Sequence, residues 1–134
     1  MCPVYINRIA SIHAESSNEK PYFSAQEPDY KEMITNANLR RRMSRMIKMG
    51  VACGLECLKD ISPEKVDAII TATGLGCLAD TEKFMNALMD NREQMLNPTA
   101  FIQSTFNTVG AQIALLLKIH AYNCLLYTSP SPRD

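Results

Sequence analysis

The stretch TVGAQIALLLKIH, Thr108–His120, constrains this chain more than any other. Val109, Ala111, Ile113, Ala114, Leu115, Leu116, Leu117 and Ile119 leave a helix here without a continuous polar face. Such a helix belongs in the middle of a larger structure, because water on any side of it strands apolar surface. It is no membrane span: Gln112, Lys118 and His120 interrupt it well short of the ~18 apolar residues a bilayer requires. Asn107 stands at its N-cap position. The rest of the 134 residues must supply elements to cover it, and they supply few.

Those elements alternate between strand and helix. Val4–Ile12, VYINRIASI, sets β-branched and aromatic residues against Asn7 and Ser11, which predicts a short strand. Ser16–Asp29 is polar and carries Pro21 and Pro28, a loop pattern. Leu39–Leu58 predicts a helix whose inner face is Met43, Met46, Ile47, Val51, Leu55 and Leu58, with Arg40, Arg41, Arg45, Lys48 and Lys59 elsewhere. Gly50 and Gly54 inside it each cost about 1 kcal/mol relative to Ala, which makes sense where another element comes close. Ser62 opens a single helical turn, and Val66–Thr73, VDAIITAT, reads as a buried strand that delivers the chain to a glycine turn. Asp80 is expected to cap a helix over Thr81–Met89 with Phe84, Leu88 and Met89 inward, and MLNPTAFIQSTFN to be irregular around Pro98. The fold class is α/β, with too little chain to enclose its own centre.

Composition excludes several functions. With 46% hydrophobic residues, 21% charged residues and zero formal net charge, the chain is neither a basic nucleic-acid binder nor an acidic tail. The N-terminus lacks the basic and apolar segments of a secretory signal. The odd set of five cysteines without C-x-x-C spacing fits a reduced, cytoplasmic protein rather than a disulfide scaffold. Arg40, Arg41, Arg42, Arg45 and Lys48 form a basic stripe that suits a solvated face or an acidic partner better than phosphates. Cys53 and Cys57 lie one helical turn apart, but nothing in sequence completes a metal site around them. His13 and His120 each stand alone. TGLGCL, Thr73–Leu78, is neither G-x-G-x-x-G nor a P-loop, so Gly74 and Gly76 read as turn glycines that allow positive φ or close approach.

Three ordered stretches resemble one family. VDAIITATGLGCLADTEKFMNAL is similar to the strand–GTG-x-G–loop–helix segment of β-ketoacyl synthases, and RRMSRMIKMGVACGLECL to their earlier Arg-led, Gly/Ala-rich helix. LNPTAFIQSTFNTVGAQIALLLKIHAYN resembles the segment leading to their nucleophile strand. The match covers most of Leu39–Asn123. Within the family it looks closest to divergent bacterial synthase-like and chain-length-factor-like proteins. The resemblance implies the N-terminal part of a thiolase-like, layered αβαβα fold.

It also implies a decarboxylative Claisen condensation for fatty-acid, aryl-polyene or polyketide synthesis. The partners are acyl carrier protein or coenzyme A thioesters and a homodimeric or heterodimeric mate, with no cofactor, metal, nucleic acid or membrane span. By the same resemblance Phe106 lines the acyl pocket and Asn107 holds the loop beside the dimer interface, although plain core packing explains Phe106 equally well. The chain departs from the pattern at INRIASIHAE, which replaces the family's usual opening, and at Ala72, where Gly is common. The nucleophile cysteine and later histidines match no position here, Cys124 being too early and lacking T-A-C-x-S-G. The tail CLLYTSPSPRD resembles a translated sequencing adapter. Residues 1–123 therefore read as an inactive N-terminal fragment and 124–134 as a non-native tail. A chain-length-factor-like subunit, a small non-enzymatic binding module whose Arg40–Lys48 face docks an acidic partner, and a degradative thiolase-like enzyme stay open as alternatives.

Overall fold

A computed structural model describes residues 3–14 and 24–126. Helices α1 (Tyr30–Met33), α2 (Ala37–Arg42) and α3 (Arg45–Leu58) come first, followed by a 3-10 turn at Pro63–Lys65. Strand β1 (Ala68–Ala72), helices α4 (Leu78–Asp90), α5 (Pro98–Ser104) and α6 (Thr108–Leu117) and strand β2 (Tyr122–Leu126) complete the order. The strands pair in parallel, Ala68 opposite Tyr122 through Ala72 opposite Leu126. The three helices between them form the crossover that a parallel pair requires. The α/β reading therefore holds.

The core lies where α3 crosses α6. Ile47 and Val51, one turn apart on α3, are fully buried with Ile34 from the α1–α2 link, and Ile113 of α6 joins them. Each such aliphatic side chain contributes about 1.5–3 kcal/mol on leaving water. Two glycines set the crossing. A Cβ on Gly50 would stand 2.8 Å from Val109 Cγ1, and one on Gly54 would run into Ile113 Cδ1. Residues four apart on α3 thus form a notch for residues four apart on α6, the i±4 geometry of close helix packing. The close neighbour expected from Gly50 and Gly54 is α6.

Helix α6 is also the lid on one face of the sheet. A Cβ on Gly110 would lie 2.7 Å from Thr71 Oγ1 and 2.9 Å from Asn123 Oδ1, so the helix backbone rests almost directly on both strands. Alternation puts Ala68, Ile70, Ala72, Tyr122, Cys124 and Leu126 on the opposite face. There Ile70 is 64% and Tyr122 70% exposed. Parallel sheets bury both faces, and among the described residues this one is covered on the α6 face alone. The outward side of α6 is likewise bare, with Leu115 61% exposed.

Several expectations from sequence are corrected. Residues 4–12 form no strand. Val4, Tyr5, Ile6 and Ile9 are exposed, since an alternating pattern becomes a strand only where a second strand meets it. The segment is held instead by Arg8, which bridges Asp60 at 2.6 Å and Glu56 at 3.4 Å. The helix expected over Leu39–Leu58 is broken: Met43 turns extended (ψ 133) and Ser44 starts α3 afresh from an N-cap conformation. Met46 faces outward because on α3 it lies off the stripe formed by Ile47, Val51, Leu55 and Leu58.

Helix α4 starts three residues earlier than expected, at Leu78 with Cys77 as N-cap, and places Asp80 inside its first turn rather than before it. Met89 is exposed, leaving Phe84 and Leu88 inward. Residues 98–104 are helical, not irregular, because Asn97 accepts the Thr99 amide at 2.9 Å and Pro98 suits the first helical position. Helix α6 ends at Leu117, where Lys118 adopts the left-handed conformation and donates its N–H to Ala114. The loop expected over Ser16–Asp29 lies outside the described residues at 15–23, as does the tail from 127 onward. Strand β2 runs through Cys124–Leu126, across the boundary expected after Asn123.

Candidate functional site

At the C-terminal end of β1 the ladder continues one step, Thr73 donating its N–H to Leu126 O at 2.9 Å. Thr73 then closes a tight turn on itself, its Oγ1 accepting the Gly76 amide at 2.8 Å. Gly76 has φ +59, a left-handed conformation that other residues adopt with strain. Gly74 sits in open space, where an added Cβ would meet nothing within 4 Å. Of the two turn glycines, Gly76 alone meets both the φ and the close-approach requirement. Cys77 follows as the N-cap of α4 and its carbonyl accepts the amides of Asp80 and Thr81, both at 2.9 Å.

A second turn, between α5 and α6, leans against this loop. Threonine hydroxyls shape it. Thr105 Oγ1 donates to Ile102 O at 2.8 Å and lies 2.7 Å from Thr108 Oγ1, while the Thr108 hydroxyl also reaches Ile102 O. Thr108 is buried, so these bonds form away from water, where an unmade one would cost about 1–3 kcal/mol. Thr81 ties the two turns together, its hydroxyl lying 3.2 Å from both the Cys77 and Ser104 carbonyls. Phe84 and Phe101 pack with ring centroids 5.6 Å apart and hold α4 against α5. Phe106 then projects over Gly76. A Cβ on that glycine would fall onto ring atoms Cδ1 and Cε1, and its Cγ would be 3.2 Å away. Phe106 as a whole is 45% exposed.

The structure thus brings Phe106 and Gly76 into contact and leaves Gly74 aside. Asn107 occupies the N-cap position of α6 but makes no side-chain cap bond, because its backbone is already helical (φ -86, ψ -1). Capping is corrected accordingly: the Thr105 and Thr108 hydroxyls organise this turn. Sequence reasoning passed over Thr105 and Thr108, and the available signal was two hydroxyls three residues apart astride a turn.

Burial works against thiolate formation at two of the cysteines. Burial pushes the Cys77 thiol above its ordinary 9.0, and the nearby Asp80 carboxylate adds to the rise. Burial, reinforced by Cys57, raises Cys53 as well. A reactive cysteine needs the opposite shift. Among the described residues no group of three His, Cys, Asp or Glu side chains is arranged to hold a metal, and Cys53–Cys57 acquires no further ligand. His13 and His120 are exposed. No single helix among the described residues is long and apolar enough to cross a membrane.

A basic hollow of about 270 Å³ lies apart from the glycine loop, lined by Lys31, Arg40, Arg41 and Lys48 beside Asp29 and Tyr30. Arg40 is fixed by donating to Ile34 O at 2.6 Å, and Arg41 reaches Asn38 Oδ1 at 3.3 Å. Arg45 leaves the group to pair with Glu27 at 2.5 Å. Glu27 also accepts from Tyr30 Oη at 2.6 Å. The tyrosine bond and then Arg45 lower the carboxyl from its ordinary 4.5, and desolvation with the Glu27 bond raises the phenol.

The family model described as "Beta-ketoacyl synthase, N-terminal domain" matches residues 13–127. The chain belongs to the β-ketoacyl synthase family. Among solved structures, a ketosynthase from Xenorhabdus doucetiae, determined in complex with its chain length factor, matches with a TM-score of 0.60 and 20% identity. The match covers 80% of this chain and 41% of that one, so the β-ketoacyl synthase chain described here spans well under half the length of that ketosynthase. At this identity the likeness is one of fold, and it identifies the layered α/β arrangement as thiolase-like. No curated protein matches the chain.

Proposed function

We propose that this chain is the N-terminal part of a β-ketoacyl synthase-like condensing protein, in which it supplies scaffold and acyl-pocket wall. The reaction of the whole is a decarboxylative Claisen condensation for fatty-acid, aryl-polyene or polyketide synthesis. A cysteine beyond this segment takes the acyl group from a carrier-protein or coenzyme A thioester. The malonyl-type extender then loses carbon dioxide, and its carbanion attacks the acyl-enzyme carbonyl, expelling the cysteine thiolate and leaving the β-ketoacyl chain on the extender's thioester. Covalent capture divides one difficult step into two. The observation that carries the reading is the family match across residues 13–127, which spans the Gly76 loop and the Phe106 turn packed upon it.

In this reading Phe106 limits the length of acyl chain admitted, and Asn107 sits in the loop next to the dimer mate. Residues 124–134 are a non-native tail, and the chain alone is inactive because no position in it matches the family's nucleophile cysteine or later histidines; Cys77 is buried and Cys53 half-buried, and burial raises both thiols. The test of the pocket role is Phe106→Ala in the full-length protein, which lengthens the products. An unchanged product profile removes it. Incubating the chain itself with acetyl- and octanoyl-coenzyme A leaves every cysteine unacylated by mass spectrometry, whereas a stoichiometric adduct refutes inactivity. A genomic read beyond codon 123 tests the tail.

The neighbour's complex with a chain length factor favours a second reading for the parent, a subunit without a nucleophile that pairs with an active sister. The same genomic read separates the two by showing or lacking the elbow cysteine. In either case the partner is a second thiolase-like chain, and the protein works in the cytoplasm. Lys31, Arg40, Arg41 and Lys48 provide a face of suitable charge for an acidic carrier protein. Arg40→Glu with Arg41→Glu weakens carrier binding in titration calorimetry, and equal affinity rejects that face.

A further inference from the structure

We propose that Gly76 is a positioning residue for Phe106: its bare backbone is the seat on which the ring rests, and so it sets how far the ring projects from the loop. The inference rests on the acyl-pocket reading of Phe106 and extends it to selectivity. Three observations carry it. Any Cβ at position 76 would overlap Cδ1 and Cε1 of the ring, so the close approach exists only because the residue is glycine. The φ of +59 is held by the Thr73 hydroxyl accepting the Gly76 amide at 2.8 Å, so the seat is itself anchored to the end of β1. On the far side, the Thr105–Thr108–Ile102 bonds fix the turn that carries Phe106. Hydrogen bonds tie down both supports, so the ring is the part expected to move if the seat is raised. The loop's other glycine provides an internal control, since a Cβ on Gly74 meets nothing within 4 Å.

The experiment labels position 106 with 4-fluorophenylalanine and reads the fluorine resonance in the unchanged chain, in Gly76→Ala and in Gly74→Ala. Gly76→Ala moves the resonance by more than its line width and enlarges its solvent isotope shift, while Gly74→Ala leaves both in place. A resonance unmoved in Gly76→Ala overturns the seat. The second arm uses the full-length protein that carries this segment, where Gly76→Ala changes the ratio of its two principal product lengths at least twofold. A moved ring with an unchanged ratio overturns the role in selectivity while the contact stands. If Phe106→Ala also leaves the ratio unchanged, the pocket reading itself has failed. Should Gly76→Ala not fold, the same resonance is read in Gly76→Asn, which tolerates φ +59 while carrying a Cβ; a resonance unmoved there rejects the proposal.

Discussion

Substituting Gly54 by alanine pits two effects of known sign against each other. In the interior of α3 an alanine is favoured over glycine by about 1 kcal/mol through backbone entropy. At this position, however, the added Cβ runs into Ile113 Cδ1 and comes within 3.1 Å of Ile113 Cγ1. Ile113 is buried in the core and has little room to turn. Overpacking of a closed core costs about 1–3 kcal/mol, so Gly54→Ala is expected to destabilise by roughly 1 kcal/mol net, near 4 °C in Tm for a chain of this size.

Ile113→Val deletes Cδ1, the nearest offending atom, at its own cost of about 1 kcal/mol. In that background Gly54→Ala becomes neutral or stabilising, because the helix gain remains and most of the overlap does not. The assay is urea unfolding followed by circular dichroism on the four proteins of the cycle. A coupling of about 1–2 kcal/mol is expected, well above the ~0.5 kcal/mol within which independent sites add. If Gly54→Ala has the same effect in both backgrounds, the α3–α6 notch is not what holds the helices at their spacing.

Three further outcomes follow from the packing and the charges. Gly110→Ala pushes a methyl between Thr71 Oγ1 and Asn123 Oδ1, so it lifts α6 from the sheet and lowers the urea midpoint more than Gly74→Ala, which meets nothing. Glu27 has a carboxyl pKa held below 4.5 by Tyr30 and Arg45, so its contribution to stability is present above the ordinary carboxylate range and disappears as pH falls through the lowered folded value; Glu27→Gln flattens that acid limb in pH-dependent unfolding. Cys77, buried and shifted upward, alkylates with iodoacetamide at pH 8 far more slowly than in urea, and equal rates would contradict its place beneath the loop.

The local chemistry of the chain settled much of this architecture. The strand read over Val66–Thr73 and the helix read over Thr108–His120 are present in shorter form, as Ala68–Ala72 and Thr108–Leu117, because β-branched runs and unbroken apolar helices have few alternative environments. Gly50 and Gly54 announced a close neighbour, and the ordered synthase-like stretches announced the family. What sequence could not decide was anything that depended on a partner far along the chain. The alternation in residues 4–12 looked like a strand, yet strands exist only in pairs. The helix before Val51 breaks at Met43–Ser44, and which residue meets Gly54 is decided by how α6 lies on the sheet. Phe106 and Gly76 are thirty residues apart in sequence. Their contact arises because Thr73 closes one turn, Thr105 and Thr108 close another, and α4–α5 packing sets the two side by side. Periodicity reports which face of an element is buried; only the assembled layers decide against what.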